Sequence, residues 1–148
     1  MNTDNKSKLM QALFESEDNN FSEIAKEKLE PNQITENIIG SAYKVGNTLG
    51  CGFLEKVYEN ALTRELRKTG LNVKQQQEIK VFYDNVEVGY YEADLLVENL
   101  ILIELKAVRE INNINKAQCL NYLKATGLEI CLLINFGNPR VEIKRIVL

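Results

Sequence analysis

The stretch Leu100-Ile101-Leu102-Ile103-Glu104-Leu105-Lys106-Ala107 constrains this chain more than any other. Its aliphatic run is too short and too rich in β-branched residues for a comfortable helix, and it predicts a central strand. The strand then carries a carboxylate and an ammonium two positions apart. Side chains alternate across a strand, so Glu104 and Lys106 share a face. Charges on so apolar a strand are costly to bury unless each has a partner. The preceding apolar segment, Tyr91-Glu92-Ala93-Asp94-Leu95-Leu96-Val97, supplies a second acid, Asp94. Two acids and a lysine converging at the end of a hydrophobic hairpin point to a divalent-metal site.

The hairpin loop decides whether they converge. Facing residues of an antiparallel pair have position numbers with a constant sum. A two-residue turn at Glu98-Asn99 would set Asp94 against Ile103 and send Glu104 to the other face. A three- or five-residue loop centred on Asn99 sets Asp94 against Glu104 and Glu92 against Lys106. Facing carboxylates repel unless a cation lies between them or one takes a proton. The bland alternative is a row of ion pairs on a solvated sheet face. Against it, Leu96, Leu100 and Leu102 continue the same face as apolar residues, so the charges mark where a core face opens to water.

The chain of 148 residues has no histidine. That removes imidazole-based triads and the usual zinc hydrolase ligands. Proton transfers would fall to Asp, Glu, Lys, Tyr or water, and a metal would be hard, with oxygen ligands, magnesium or manganese. Cys51, Cys119 and Cys131 form no Cys-x-x-Cys pair, which argues against a disulfide framework and a thiolate zinc site and makes a reducing cytoplasm the default. No apolar run approaches the roughly 20 residues of a membrane span, and Met1 to Asn20 lacks a signal-peptide pattern. Net charge is −3. That alone disfavours a nucleic-acid partner, but residues 1–36 hold 8 acids against 4 bases and residues 37–148 hold 13 against 14, so the segment with the candidate site is near neutral and permits such a partner without indicating one.

Taken in order, residues 1–33 read as a helical or flexible extension, with weak periodicity in 8–15 and 21–29 and a stop at Pro31-Asn32. A domain over 34–148 follows. Thr35 is expected to cap a helix running to Leu49. A second helix, from Phe53 to Lys68, has Leu54, Val57, Tyr58, Ala61, Leu62 and Leu66 on one stripe and Gly70 as its stop. Strands are expected at Val73–Tyr83, Val86–Val97 and Leu100–Val108, then a helix at Asn112–Thr126, then strands at Glu129–Phe136 and Arg140–Leu148. Gln118 and Tyr122, four residues apart, share a face of the third helix.

Gly52-Phe53-Leu54-Glu55-Lys56-Val57-Tyr58 matches the motif of the GxxExxY proteins, a group that resembles a branch of the PD-(D/E)XK nuclease superfamily. The superfamily's pattern, an Asp on one strand and Glu-x-Lys on the next, fits Asp94 and Glu104-Leu105-Lys106. The resemblance runs from about Ile34 to Leu148, through Ala117-Gln118, Asn121-Tyr122-Leu123-Lys124-Ala125-Thr126 and Leu133-Ile134-Asn135-Phe136-Gly137. Family members often carry histidines where this chain has Gly46 and Asn115.

The resemblance implies an α/β domain, a restriction-endonuclease-like mixed sheet flanked by helices with an αβββαβ core. It implies that Asp94, Glu104 and the Leu105 carbonyl hold Mg²⁺, or Mn²⁺, and that Glu55 reaches the metal directly or through water. Lys106 would position water and stabilise charge on the phosphorane, and Gln118 and Tyr122 would orient water or phosphate. The implied activity is metal-dependent phosphodiester hydrolysis, on DNA rather than RNA. On their own residues, Tyr58 reads as a core side chain with a polar tip and Tyr122 as either core or catalytic. Two other classes stay open: a catalytically silent nuclease-fold module binding nucleic acid or a protein, and a partner-binding or homo-oligomeric protein working through residues 1–33.

Overall fold

A computed structural model describes residues 29–148 of the chain. The helical periodicities read in residues 8–28 lie outside them. The compact unit treated below is Pro31–Leu148.

Helix α1 spans Pro31–Leu49 and buries Ile34, Ile38, Ala42 and Val45 along one stripe. It starts at Pro31, five residues before the Glu36 start that a Thr35 cap would give. Pro31 opens this helix, because a first-turn residue needs no intrahelical N–H and proline's fixed φ suits the position. Thr35 is therefore inside the helix, its hydroxyl donating to the Pro31 carbonyl at 2.9 Å. Helix α2 spans Glu55–Lys68 and buries Tyr58, Leu62 and Leu66. Leu54, expected on that stripe, is 81% exposed: it sits before the helix with extended backbone (φ −67°, ψ 149°), off the helical period. Val57 is also exposed, lying to one side of the Tyr58–Leu62–Leu66 line.

Strands β1 (Val73–Tyr83) and β2 (Val86–Val97) form a long antiparallel hairpin around Asp84-Asn85, both at positive φ as a two-residue turn of this hand requires. Strand β3 is Ile101–Lys106, shorter than expected at both ends. Leu100 belongs to the loop, its N–H donating back to Val97 at 3.0 Å, and Ala107-Val108 leaves the sheet. Helix α3 (Asn113–Thr126) carries the chain across to β4 (Ile130–Asn135), which is parallel to β3, and β5 (Glu142–Val147) returns antiparallel.

The five strands lie in sequence order in one mixed sheet. Helices α1 and α2 cover the face bearing Leu95, Val97, Ile101, Ile103, Leu105, Leu132 and Ile134; α3 covers the face bearing Leu96, Leu102, Cys131 and Leu133. Strands β3 and β4 are apolar on both faces because both are covered. The element order α, α, β, β, β, α, β, β is the one the sequence predicts.

Candidate active site

Three residues, Glu98-Asn99-Leu100, separate the paired Val97 and Ile101. The loop count is odd, Glu98 and Asn99 take positive φ, and the register continues through Leu95 opposite Ile103. Asp94 and Glu104 are the next residues in that register, on the α3 side of the sheet. The backbone ladder ends there, and Asp94 Oδ2 accepts the Leu105 N–H at 2.7 Å in its place. Asp94 is 8% and Glu104 4% exposed, so this is no solvated row of ion pairs.

Lys106 Nζ lies 3.8 Å from Glu104 Oε1. Burial, and then the neighbouring Asp94 charge, push the Glu104 carboxyl up to about 9, with Lys106 pulling the other way. Glu104 Oε2 is buried and has no hydrogen-bond partner. Glu92, expected opposite Lys106, is not part of this group: past Leu95 the β2–β3 ladder stops, and the Glu92 carboxylate takes the Tyr90 hydroxyl.

Glu55 is the first residue of α2, and the local sequence explains how it is held there. Gly50 (φ 70°) and Gly52 (φ 113°) bend the connection from α1 in a way other residues rarely adopt. The buried Tyr58 hydroxyl donates to the Gly50 carbonyl at 2.6 Å and accepts the Phe53 N–H at 3.2 Å, tying that bend to the helix. Its ring stacks on Phe136 at 4.7 Å. Tyr58 is thus a core side chain with a polar tip. Burial and the Asp94 charge raise the Glu55 carboxyl while Lys106 lowers it, which sets this exposed acid at the rim of the Asp94–Lys106 group.

On α3, Gln118 Nε2 donates to Tyr122 Oη at 2.8 Å, and Tyr122 Oη donates to the Glu92 carbonyl at 3.2 Å. Burial drives the Tyr122 phenol far above its usual range, and Glu104 pushes the same way. Tyr122 therefore flanks Glu104, and Gln118 touches the group through Tyr122. The third helix places both residues on the sheet face that carries Asp94 and Glu104.

Sequence reading missed Glu59, Gln75 and Gln76. Glu59 is buried one turn after Glu55, accepting from Lys56 (2.7 Å), Gln75 (2.7 Å) and Gln76 (2.6 Å), and Gln76 also reaches Asp94 at 3.3 Å. A signal existed: Glu59 sits between Tyr58 and Leu62 on an otherwise apolar stripe, four residues from Glu55.

Among the described residues, no three acids or cysteines already stand close enough together to enclose a metal. The donor set nonetheless suits a hard cation that keeps several waters and takes one or two carboxylates. Glu104 offers an unpartnered buried oxygen beside Asp94, and cation charge is what such a pair lacks.

The model of the PD-(D/E)XK nuclease superfamily matches residues 32–146. No curated protein matches. Among solved structures, that of SSO0001 is 22% identical with a TM-score of 0.48, over 62% of this chain and 48% of that one. An alkaline exonuclease (LHK-Exo) from Laribacter hongkongensis is 14% identical with a TM-score of 0.45, over 76% of this chain and 81% of that one. The chain thus spans about half the length of SSO0001. With a match over nearly all of the compact unit, a mixed sheet flanked by helices in the restriction-endonuclease-like arrangement, and Asp94 set beside Glu104-Leu105-Lys106, the chain belongs to the PD-(D/E)XK nuclease superfamily.

Proposed function

We propose that this chain is a divalent-metal-dependent nuclease of the GxxExxY group, hydrolysing phosphodiester bonds in DNA rather than RNA, with Mg²⁺ as its metal and Mn²⁺ as a substitute. The observation that carries the reading is the buried Glu104 Oε2 without a partner, on a carboxylate beside Asp94 whose other oxygen lies 3.8 Å from Lys106 Nζ. Asp94, Glu104 and the Leu105 carbonyl would hold the cation, with Glu55 reaching it directly or through water. When bound, the cation polarises the scissile phosphate and lowers the pKa of a water molecule.

The chain's own groups then have distinct tasks. The Lys106 ammonium orients the attacking water and offsets charge growing on the phosphoryl oxygens. Gln118 and Tyr122 orient water or phosphate from the α3 side. Phe53 and Leu54, exposed beside Glu55, give the rim an apolar surface for a sugar or base. The free thiols of Cys51, Cys119 and Cys131 suit a reducing, cytoplasmic setting. No described helix is long and apolar enough to cross a membrane.

The test incubates purified protein with single-stranded, double-stranded and branched DNA, and with RNA, in Mg²⁺, Mn²⁺ or EDTA. Asp94→Ala and Lys106→Ala are assayed alongside, with circular dichroism to confirm folding. Cleavage of a DNA that needs the metal and is lost in both variants is the expected result. A folded wild type inert on every substrate and without measurable metal binding would overturn the reading in favour of a silent nucleic-acid-binding module, whose salt-dependent binding would ignore both Mg²⁺ and Asp94→Ala.

A further inference from the structure

Strands β1 and β2 pair through Gln75 opposite Leu95 and again from Gln77 opposite Ala93, but Gln76 and Asp94 between them do not pair. Gln76 takes φ 52°, a left-handed backbone that a long L side chain rarely adopts. Face alternation breaks at this point. Val73, Leu95 and Val97 pack under α1 and α2, whereas Ile79 and Ala93, also odd-numbered, pack under α3. Strained backbone of this kind persists where the surroundings fix it, and such places cluster at functional sites.

What the strain achieves is a side-chain position. Gln76 Nε2 donates to Glu59 Oε1 at 2.6 Å and to Asp94 Oδ1 at 3.3 Å. Ionised carboxylates only accept, so the NH₂ end of the amide must face both acids. Glu59 cannot turn away, because its other oxygen takes Lys56 Nζ and Gln75 Nε2, each at 2.7 Å. Asp94 Oδ2 is meanwhile held by the Leu105 N–H. Each Asp94 oxygen is therefore tethered by one donor, and its remaining lone pairs are left for a cation shared with Glu104. The same amide keeps Glu59, one helical turn from Glu55, engaged.

From this geometry we infer that Gln76 is a positioning residue for metal binding: its left-handed backbone sets a neutral donor between the buried Glu59 and Asp94 and fixes the Asp94 carboxylate in its ligating orientation. The inference rests on the metal-site reading above. Its role is mediated through Asp94, since Gln76 itself offers no oxygen to the cation while its NH₂ end faces the acids.

The test is Mn²⁺ binding by calorimetry on the full chain, with thermal melts of each protein. Gln76→Gly accepts φ 52° without strain and removes the amide. It is expected to melt within a few degrees of wild type, relief of the backbone strain offsetting part of the lost amide bonds, while Mn²⁺ affinity falls by roughly ten- to a hundredfold, the usual effect of losing a group that orients a metal ligand. Gln76→Asn tolerates the left-handed backbone but is one methylene too short to span both acids, and it should bind Mn²⁺ as weakly. Wild-type affinity retained in Gln76→Gly would overturn the inference and leave the metal site standing. A Gln76→Gly protein melting far below wild type would make Gln76 a fold residue and overturn it too. A wild type that binds no Mn²⁺ would overturn the metal-site reading itself, along with this consequence of it.

Discussion

Asp94 and Glu104 follow the last hydrogen-bonded pair of the β2–β3 hairpin, both buried, and their oxygens are unequally served. Asp94 has both oxygens hydrogen-bonded, whereas Glu104 Oε2 has no partner. Without a cation, the cheaper state at neutral pH is therefore a protonated Glu104.

A pH dependence follows for the metal-free protein. Glu104 is raised by burial and by Asp94 to about 9 in the folded state, against 4.5 for the ordinary group. Between those values the folded chain binds a proton that the unfolded chain has released, so stability falls as pH rises across that window. Glu104→Gln removes the burden and gives Asp94 an amide donor. In EDTA, denaturant melts at about pH 5 and about pH 8.5 should show the variant gaining on wild type as pH rises, by roughly 1–3 kcal/mol at the upper value. Parallel pH profiles would show that Glu104 is ionised in the folded protein.

Tyr58→Phe tests how the first helix seats Glu55. The substitution keeps the stack on Phe136 but removes the bonds to the Gly50 carbonyl and the Phe53 N–H. Loss of two local hydrogen bonds should cost about 1–2 kcal/mol in a thermal melt and lower metal affinity as well. Glu55→Gln should differ, leaving the melt near wild type because the residue is exposed, while lowering activity.

Lys106→Met separates charge from packing. The methionine keeps most of the apolar stem and loses the ammonium 3.8 Å from Glu104. In steady-state cleavage assays, kcat is expected to fall at least about a hundredfold, with KM little changed, because the lost interaction is strongest in the transition state. An equal rise in KM would instead assign Lys106 to ground-state phosphate binding.

Much of this was legible in the sequence, for identifiable reasons. The β1–β2 hairpin ends were read to the residue because Asp84-Asn85 and Glu98-Asn99 announce their turns chemically. Asp94 and Glu104 could be set side by side from strand parity alone, once an odd loop was assumed. The start of α1 was missed because Pro31 looks the same as a helix stop and as a helix start, and only the following packing distinguishes them. Gln76 was invisible for a deeper reason: parity assumes an unbroken pleat, and a left-handed residue breaks it without any glycine to mark the place. The histidines absent at positions 46 and 115 also gain a local account. A side chain at Gly46 would run into the Val141 methyl, and Asn115 exchanges two hydrogen bonds with Asn112 in a capping box at the start of α3.

Asn135 carries the last prediction, because it closes β4, the strand beside the one that delivers Lys106. It is fully buried and paired with Lys106 across the parallel β3–β4 ladder. Its Oδ1 accepts the Val108 N–H and the Gly137 N–H, each at 3.0 Å, and its Nδ2 donates to the Val108 carbonyl at 2.8 Å. With the Phe136 N–H on the Lys106 carbonyl at 2.8 Å, these bonds fasten the chain as it leaves the sheet. Gly137 belongs to the same device, since an added Cβ would collide with the Val108 backbone. Asn135→Ala orphans three backbone groups, each worth roughly 1–3 kcal/mol if it stays dry. The expected outcome is a loss of about 3 kcal/mol or more in denaturant melts. Asn135→Asp keeps the acceptor and loses the donor, so it should retain part of that stability at low pH, where the carboxyl can be protonated and donate to Val108, and lose it as pH rises. Equal stability of Asp and Ala variants at every pH would show that the Val108 clamp is not what holds this strand end.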